Sequence, residues 1–263
     1  MELIVVDGSS KDNTLAIVKE ELSSADVRYR IYLEDSGLGS ARQIVVDNAS
    51  GEYIVWVDGD MMLPKDFVRK QVGFMEKNPN VGIGKAKYEI LNKDTLVATL
   101  ENIEFVLSFR HEGVTSSKSL ATSGCIYRVE AIRQVGGFDK NISGVGEDMD
   151  AEHRTRAAGW LLCITPASFY ENHRKTWKSL WDEYFWHGCG GHHLFKKNRG
   201  MIDFYNMFPL VAVVNQLSCA SVAYKLWHRG VVFLLPFHYF FKRAAWLLGF
   251  LKCYIDEILR TRD

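Results

Sequence analysis

Tyr53-Ile-Val-Trp-Val-Asp-Gly-Asp60 is an unbroken apolar run that ends in two carboxylates separated by a glycine. A run this short with no polar alternation reads as a strand covered on both faces, and such strands belong to parallel sheets with helices on either side. The same order precedes it twice. Met1-Glu-Leu-Ile-Val-Val-Asp7 reads as a buried strand entering the polar turn Gly8-Ser-Ser-Lys-Asp-Asn-Thr14, with an amphipathic helix over 14–23. A second strand over 28–33 runs into Glu34-Asp-Ser-Gly-Leu-Gly39 and a helix over 40–49. Strand, helix, strand, helix, strand predicts an α/β fold whose mostly parallel sheet is flanked by helices.

Downstream, helical spacing resumes after Pro64 to about residue 78, and 81–86 reads as a further strand. Helical potential recurs around 100–110, a strand is expected over 121–127, and a helix over 129–135 closes at Gly136-Gly137. Another helix over 147–158 stops at Gly159, which supplies a left-handed terminus.

Composition excludes several classes. The 263 residues are 47% hydrophobic and 24% charged with 5 prolines, which rules out disorder and low complexity. Cysteines 125, 163, 189, 219 and 253 are odd in number and widely spaced, so the reading expects no disulfide framework or Cys-x-x-Cys zinc site, and a reducing compartment. The net charge is zero, but from Lys196 onward there are ten Lys/Arg and four acids, leaving 22 bases and 28 acids in residues 1–195. An acidic head is a poor ligand for a phosphate backbone, so no nucleic acid partner is expected. A basic, apolar tail has the composition of a segment held on an anionic membrane surface.

That tail contains residues 204–224 without a formal charge, about 32 Å long as a helix and enough to span, although Asn206, Asn215 and Gln216 favour an amphipathic alternative. Residues 231–251 carry Pro236, Lys242 and Arg243 and read as a short embedded piece followed by an interfacial helix. Two units are expected: 1–195 for chemistry and 196–263 as a membrane-associated helical region.

The chemistry-bearing residues sit where open α/β sheets bind ligands, beyond the carboxyl ends of strands. Asp58 and Asp60 offer hard oxygens to one Mg²⁺ or Mn²⁺ while leaving room for phosphates; alone, the triplet is an ordinary turn. Asp7 ends the first strand and faces the same rim, or caps the helix that follows. Gly146-Glu-Asp-Met-Asp150 opens a helix, where acids are favoured by the dipole, but three acids in four positions exceed that need and supply a candidate general base. The cluster His187-Gly-Cys-Gly-Gly-His-His193 has no standard zinc spacing. Trp177, Trp181, Tyr184 and Trp186 fall mostly on one helical face, as packing residues do.

Taken together these motifs resemble the inverting family 2 glycosyltransferases of GT-A type over residues 3–195. Ile4-Val-Val-Asp7-Gly-Ser-Ser-Lys-Asp-Asn-Thr14 looks like their nucleotide-base turn, Gly37-Leu-Gly-Ser-Ala-Arg-Gln43 like their glycine loop, and Val57-Asp-Gly-Asp60 like their metal-binding Asp-x-Asp. Ser123-Gly-Cys-Ile-Tyr-Arg128, Gly136-Gly-Phe-Asp139 and the acidic run from Gly146 look like the acceptor half. The resemblance implies donor contacts from Asp7, Ser9, Gly39, Arg42 and Asp58, with Arg42 facing the diphosphate or covering its helix. It implies metal contacts from Asp58, Asp60 and His173, the last reaching the metal or the diphosphate, and catalysis by Asp148 with Glu147 orienting it or the acceptor. The implied partners are a nucleotide sugar, UDP-linked by preference, a glycan or lipid-linked hydroxyl acceptor, and a membrane with the catalytic unit on its cytoplasmic side. The family places a further strand and helix before the Asp7 turn, and that strand lies between those ending at Asp7 and Asp58. Here six residues precede Asp7, which points to a shortened start and leaves both neighbouring strands with an unpaired edge. The alternative reading is a non-catalytic, membrane-bound partner module of the same fold.

Overall fold

The computed structural model describes all residues except 91–94, 116–118, 143, 203 and 261–263. Strand β1 (Glu2–Asp7), helix α1 (Thr14–Ser23), strand β2 (Arg28–Leu33) and helix α2 (Leu38–Asn48) follow the expected order, with β1 and β2 parallel from Glu2↔Arg28 to Asp7↔Leu33. Next come β3 (Tyr53–Val55), β4 (Met61–Met62), α3 (Phe67–Lys77), β5 (Val81–Tyr88), α4 (Leu96–Ser108) and β6 (Gly113–Val114). The chain continues with β7 (Cys125–Arg128), α5 (Val129–Gln134), α6 (Glu147–Ala157), β8 (Leu161–Glu171) and α7 (Trp177–Lys197).

The second sheet runs β3-β7-β5-β8-β4, with β6 also on β8. Within it only β5 and β8 are parallel; the β3–β7, β5–β7, β4–β8 and β6–β8 pairs are antiparallel. The mostly parallel sheet expected from the sequence is therefore mixed. The reason is β7, which re-enters between β3 and β5 from the opposite end, an insertion that local periodicity does not encode. Among the described residues β1 pairs with β2 and β3 with β7, and β1 and β3 do not pair with each other. The first four elements are instead joined to the rest through α2. Arg133 on α5 donates to the carbonyls of Val46 and Ala49 at 2.8 and 2.7 Å, and the Gln43 side-chain oxygen accepts the Phe138 N–H at 2.6 Å. Gly39 lies where a Cβ would stand 2.3 Å from the Asp139 carbonyl oxygen, so a side chain there would push α2 off that turn.

The core lies on both faces of β5, β7 and β8, with Phe67, Tyr127, Phe169, Ile83 and Leu162 fully buried. Burying the apolar surface of such residues is the main favourable term in holding the layers together. Strand β8 (Leu161–Glu171) is an element that the sequence reading does not include, and it contains Pro166. Pro166 is accommodated at an irregularity, where the register shifts between Lys85↔Ile164 and Lys87↔Ser168.

The expected helix over 204–224 is broken. A turn of helix α8 (Phe204–Met207) precedes α9 (Pro209–Trp227), with Phe208 extended between them. Proline lacks the N–H a continuing helix needs and is suited to a first helical position, so the break falls where Pro209 stands. A 3₁₀ segment (Gly230–Leu234) then leads into α10 (Leu235–Arg260). Gly230–Arg260 is the one stretch among the described residues long and apolar enough to cross a membrane by length and composition.

Helices α7 and α10 approach closely. A Cβ on Gly188 would lie 2.0 Å from the Trp246 carbonyl oxygen, and one on Gly249 2.0 Å from that of Phe185. Trp177 and Trp181 pack edge-on against Phe241, with centroids 5.0 and 5.1 Å away, so these aromatics are packing residues as expected. Cys189 and Cys253 face each other across this contact in a disulfide, Cα–Cα 5.4 Å. The expectation of no disulfide is corrected here: spacing in sequence says nothing about two cysteines on facing helices 64 positions apart.

Candidate active site

The turn Asp58-Gly59-Asp60 leaves the sheet after β3 and is strapped at once to the end of β8. Antiparallel pairing sets Met61 opposite Glu171 and Met62 opposite Tyr170. The Asp60 carbonyl accepts the Asn172 backbone and side-chain N–H groups at 3.0 and 3.3 Å. Two segments more than 100 residues apart in sequence are thereby joined, and Asp60, Glu171 and His173 line one cavity of about 60 Å³ with Phe105, Tyr184 and His187.

Asp58 is half-buried, and its Oδ2 accepts the Ser123 hydroxyl at 3.0 Å. Partial desolvation and the neighbouring Asp58 raise the pKa of Asp60, while Arg174 acts in the opposite sense. Glu171 is a site residue that the sequence reading does not single out. Burial pushes it up to about 7, with Asp60 and Asp58 adding to the rise and Lys85 opposing it. Its Oε2 is buried without a hydrogen-bond partner among the described residues. Only the strand pairing of β4 and β8 reveals this third acid; no sequence spacing could have. His173 stacks on Phe105, centroids 5.2 Å apart, and its Nε2 lies 3.4 Å from the Asn102 side-chain nitrogen. Burial lowers its pKa, which keeps the imidazole neutral and able to accept a cation.

Glu147, Asp148 and Asp150 begin α6, where Gly146 at φ +110° turns the chain into the helix. Glu147 is buried and ion-paired with Arg42. Arg42 therefore joins α2 to α6 in this structure, and Glu147 holds the first turn of α6. Asp148 is half-buried, its Oδ1 accepting the Met149 N–H at 2.7 Å. It contributes to the raised pKa of Cys125, as Asp58 does, and it acts on His187, which lines the cavity with Asp60. One turn beyond Asp148, Glu152 accepts the Leu120 N–H at 3.0 Å, and burial followed by Asp148 raises it to about 8. Asp150 is held by Arg154 at 2.7 Å and Lys197 at 2.7 Å.

At the end of β1, the Asp7 carboxylate accepts the Ser10 N–H and hydroxyl, both at 2.7 Å, which is the turn-capping arrangement. Ser9 is exposed in the left-handed region at φ +63°. Gly39 is buried against the Asp139 turn and so supports α2 from behind. The cluster at 187–193 does not converge: His187 lines the cavity, His192 pairs with Glu257 at 3.3 Å, and His193 is exposed.

A second acidic group reaches the same cavity through Glu101. Glu101 and Glu104 on α4 meet His238 on α10 with ligand-type atoms within 4.8 Å of one another. The Lys242 ammonium already stands between the two carboxylates at 2.6 and 2.7 Å, supplying the positive charge a cation would bring.

Residues 1–136 match the family profile described as glycosyl transferase family 2. Glucomannan 4-beta-mannosyltransferase 2 of Arabidopsis thaliana is 29% identical over 154 residues, 56% of this chain and 28% of the relative. Poly-beta-1,6-N-acetyl-D-glucosamine synthase of Staphylococcus epidermidis is 24% identical over 179 residues, 61% of this chain and 42% of the relative. The chain thus spans well under half the length of these curated relatives. The mannosyltransferase PcManGT from Pyrobaculum calidifontis, solved with GDP-Man and Mn²⁺, superposes with a TM-score of 0.67 over 97% of this chain and 78% of that one at 17% identity, a likeness of fold.

Proposed function

The chain belongs to glycosyl transferase family 2, and from that premise we propose a metal-dependent, inverting transfer of a sugar from a nucleoside diphosphate donor to a hydroxyl acceptor. The observation that carries this reading is the strapping of the Asp58-Gly59-Asp60 turn to the end of β8, which brings Asp60, Glu171 and His173 to one cavity, with Asp148 acting electrostatically on His187 of the same lining. The donor is a UDP- or GDP-linked sugar; the second possibility rests on the likeness to an enzyme solved with GDP-Man. Asp7, Ser9 and the turn they occupy take the base, and Gly39 and Arg42 support the donor side through α2.

The residues at the rim suit a hard divalent cation. Asp58 and Asp60 offer carboxylate oxygens, Glu171 has a buried oxygen without a hydrogen-bond partner among the described residues, and burial favours the neutral form of His173. A bound Mg²⁺ or Mn²⁺ supplies positive charge to the departing diphosphate. Asp148 takes the proton of the acceptor hydroxyl as its oxygen forms the new bond to the anomeric carbon, and the bond to the diphosphate breaks on the opposite face. One base suffices for that displacement, and configuration inverts. Glu147, buried and paired with Arg42, orients the first turn of α6 and with it Asp148.

The acceptor is a glycan or lipid-linked hydroxyl. Supporting this, α9 buries Pro209, Ala212, Gln216, Ala220 and Ala223 and exposes Leu210, Val214 and Leu217, with Lys225 and Arg229 at its end. That pattern suits a helix lying on an anionic bilayer. We place this face against the cytoplasmic leaflet. Thiol counting on protein taken from cells tests that placement, since a reducing compartment leaves Cys189 and Cys253 free.

Donor hydrolysis and transfer with Mn²⁺ test the chemistry. Asp60→Ala is expected to abolish metal-dependent donor binding. Asp148→Asn should leave donor affinity nearly intact and cut transfer by about 10²–10⁴-fold, the usual contribution of a general base. Equal loss of donor affinity in both variants overturns the assignment of roles, and wild-type protein without hydrolysis or transfer supports a non-catalytic partner module.

A further inference from the structure

Lys85 is fully buried on β5. Its Nζ donates to the Ser123 carbonyl and to the Tyr88 hydroxyl at 3.1 Å, and it lies 4.7, 5.1 and 5.4 Å from the ring centroids of Tyr88, Phe109 and Phe169. No acid among the described residues lies within ion-pair distance of it. Its hydrogen-bonding partners are neutral, and the acid it acts on, Glu171, is not in an ion pair with it. The ammonium's direct hold is on the Ser123 carbonyl. Ser123 belongs to a turn of unusual backbone: Ala121 is at φ +55° and Gly124 at φ +63°, and a Cβ on Gly124 would stand 2.5 Å from the Phe169 ring. A non-glycine residue in the left-handed region persists only where its surroundings hold it there. From this turn the Ser123 hydroxyl donates to Asp58 Oδ2 at 3.0 Å, fixing which oxygen remains for a ligand.

We propose that Lys85 is a positioning residue for the Asp58 carboxylate, acting through Ser123: the ammonium anchors the Ser123 carbonyl, and the Ser123 hydroxyl orients Asp58 toward a divalent cation. This rests on the reading of Asp58 and Asp60 as metal ligands. Groups that orient a ligand from behind are worth about 10–100-fold in metal affinity when removed. A residue needed only for packing is worth nothing there, because methionine fills the same apolar volume without the charge.

The test is Mn²⁺ binding to the full chain, followed by electron paramagnetic resonance without any sugar nucleotide, together with a thermal melt. Wild type is expected to bind Mn²⁺ and Asp60→Ala to lose it. Lys85→Met should melt within a few degrees of wild type yet bind Mn²⁺ about 10–100-fold more weakly. Ser123→Ala should show the same loss, and the double variant no greater loss than either single one, since the two act in series. Unchanged Mn²⁺ affinity in Lys85→Met overturns the proposal, as do losses that multiply in the double variant. Should Lys85→Met lack a cooperative melt, Ser123→Ala decides: wild-type affinity there overturns the proposal and a tenfold loss sustains it. Wild type that binds no Mn²⁺ removes the metal reading itself, an outcome distinct from binding that ignores Lys85.

Discussion

Two groups of acids lie on either side of one small cavity and are treated in opposite ways. On α4, Glu101 and Glu104 are matched by Lys242 and His238, so every charge there has a partner inside the protein. At the rim, Asp58, Asp60 and Glu171 have no Lys or Arg within ion-pair distance among the described residues, and Asp60 and Glu171 are raised in pKa. Burial raises Glu101 and Glu104 as well, but Lys242 and His238 together more than reverse it, and both sit below the ordinary carboxylate value. The difference separates a cluster built for cohesion, tying α10 to α4, from one left under electrostatic tension that an external cation would relieve.

The largest effect should come from breaking the satisfied cluster. Lys242→Met leaves two buried carboxylates without their cation, and removing one member of a buried pair costs about 3–5 kcal/mol. The melting temperature should fall by about 2–4 °C for each kcal/mol in a chain of this size. A melt within a degree or two of wild type would show that α4 and α10 are held by packing alone. Lys85→Met, which strands no carboxylate in an ion pair, is the control for removing a buried ammonium.

Next in size is ligand-linked stabilisation. Mn²⁺ at about 100 times its dissociation constant should stabilise wild type by about 2.7 kcal/mol. Asp60→Ala should lose that gain, and its melt without Mn²⁺ should be no lower than wild type because like-charge repulsion at the rim is relieved. A stabilisation by Mn²⁺ that survives Asp60→Ala and disappears in Glu101→Gln would reverse the assignment of the two clusters.

What the sequence disclosed follows the same division. Residues that announce themselves by local pattern were legible: the apolar run ending at Asp58, the acids opening α6, the helices over 14–23 and 147–157. Glu171 was not, because its neighbour Met61 is supplied by strand pairing across more than 100 residues. Lys85 reads as an ordinary polar position in a strand until β7 and β8 close over it. Arg42 stands beside the glycine loop in sequence, yet its partner is Glu147, and only the docking of α2 against α6 turns it there. Cys189 and Cys253 likewise meet only once Gly188 and Gly249 let α7 and α10 approach.

The smallest effect is also the one whose sign is set most narrowly. Glu152 lies in the catalytic half, raised from 4.5 to about 8, first by burial and then by Asp148. The native state therefore keeps a proton that the unfolded chain releases above 4.5, and the stability this confers is present in full below that value and lost as pH rises toward about 8. Glu101, lowered in pKa, has the opposite sign: its contribution is present above the unfolded value and lost on acidification. One half of the molecule thus loses stability in base and the other in acid. Replacing Glu152 with Gln keeps an oxygen for the Leu120 N–H but removes the titration. Melts between pH 5 and pH 8.5 should then decline less steeply than wild type, by at most one proton's worth, ~1.4 kcal/mol per pH unit. The limb below pH 4.5 should be unaltered, because Glu152 holds its proton there in the folded and the unfolded chain alike. A variant whose acid limb shifts together with its basic limb would mean that the two clusters titrate as one network, and the contrast between them would not hold.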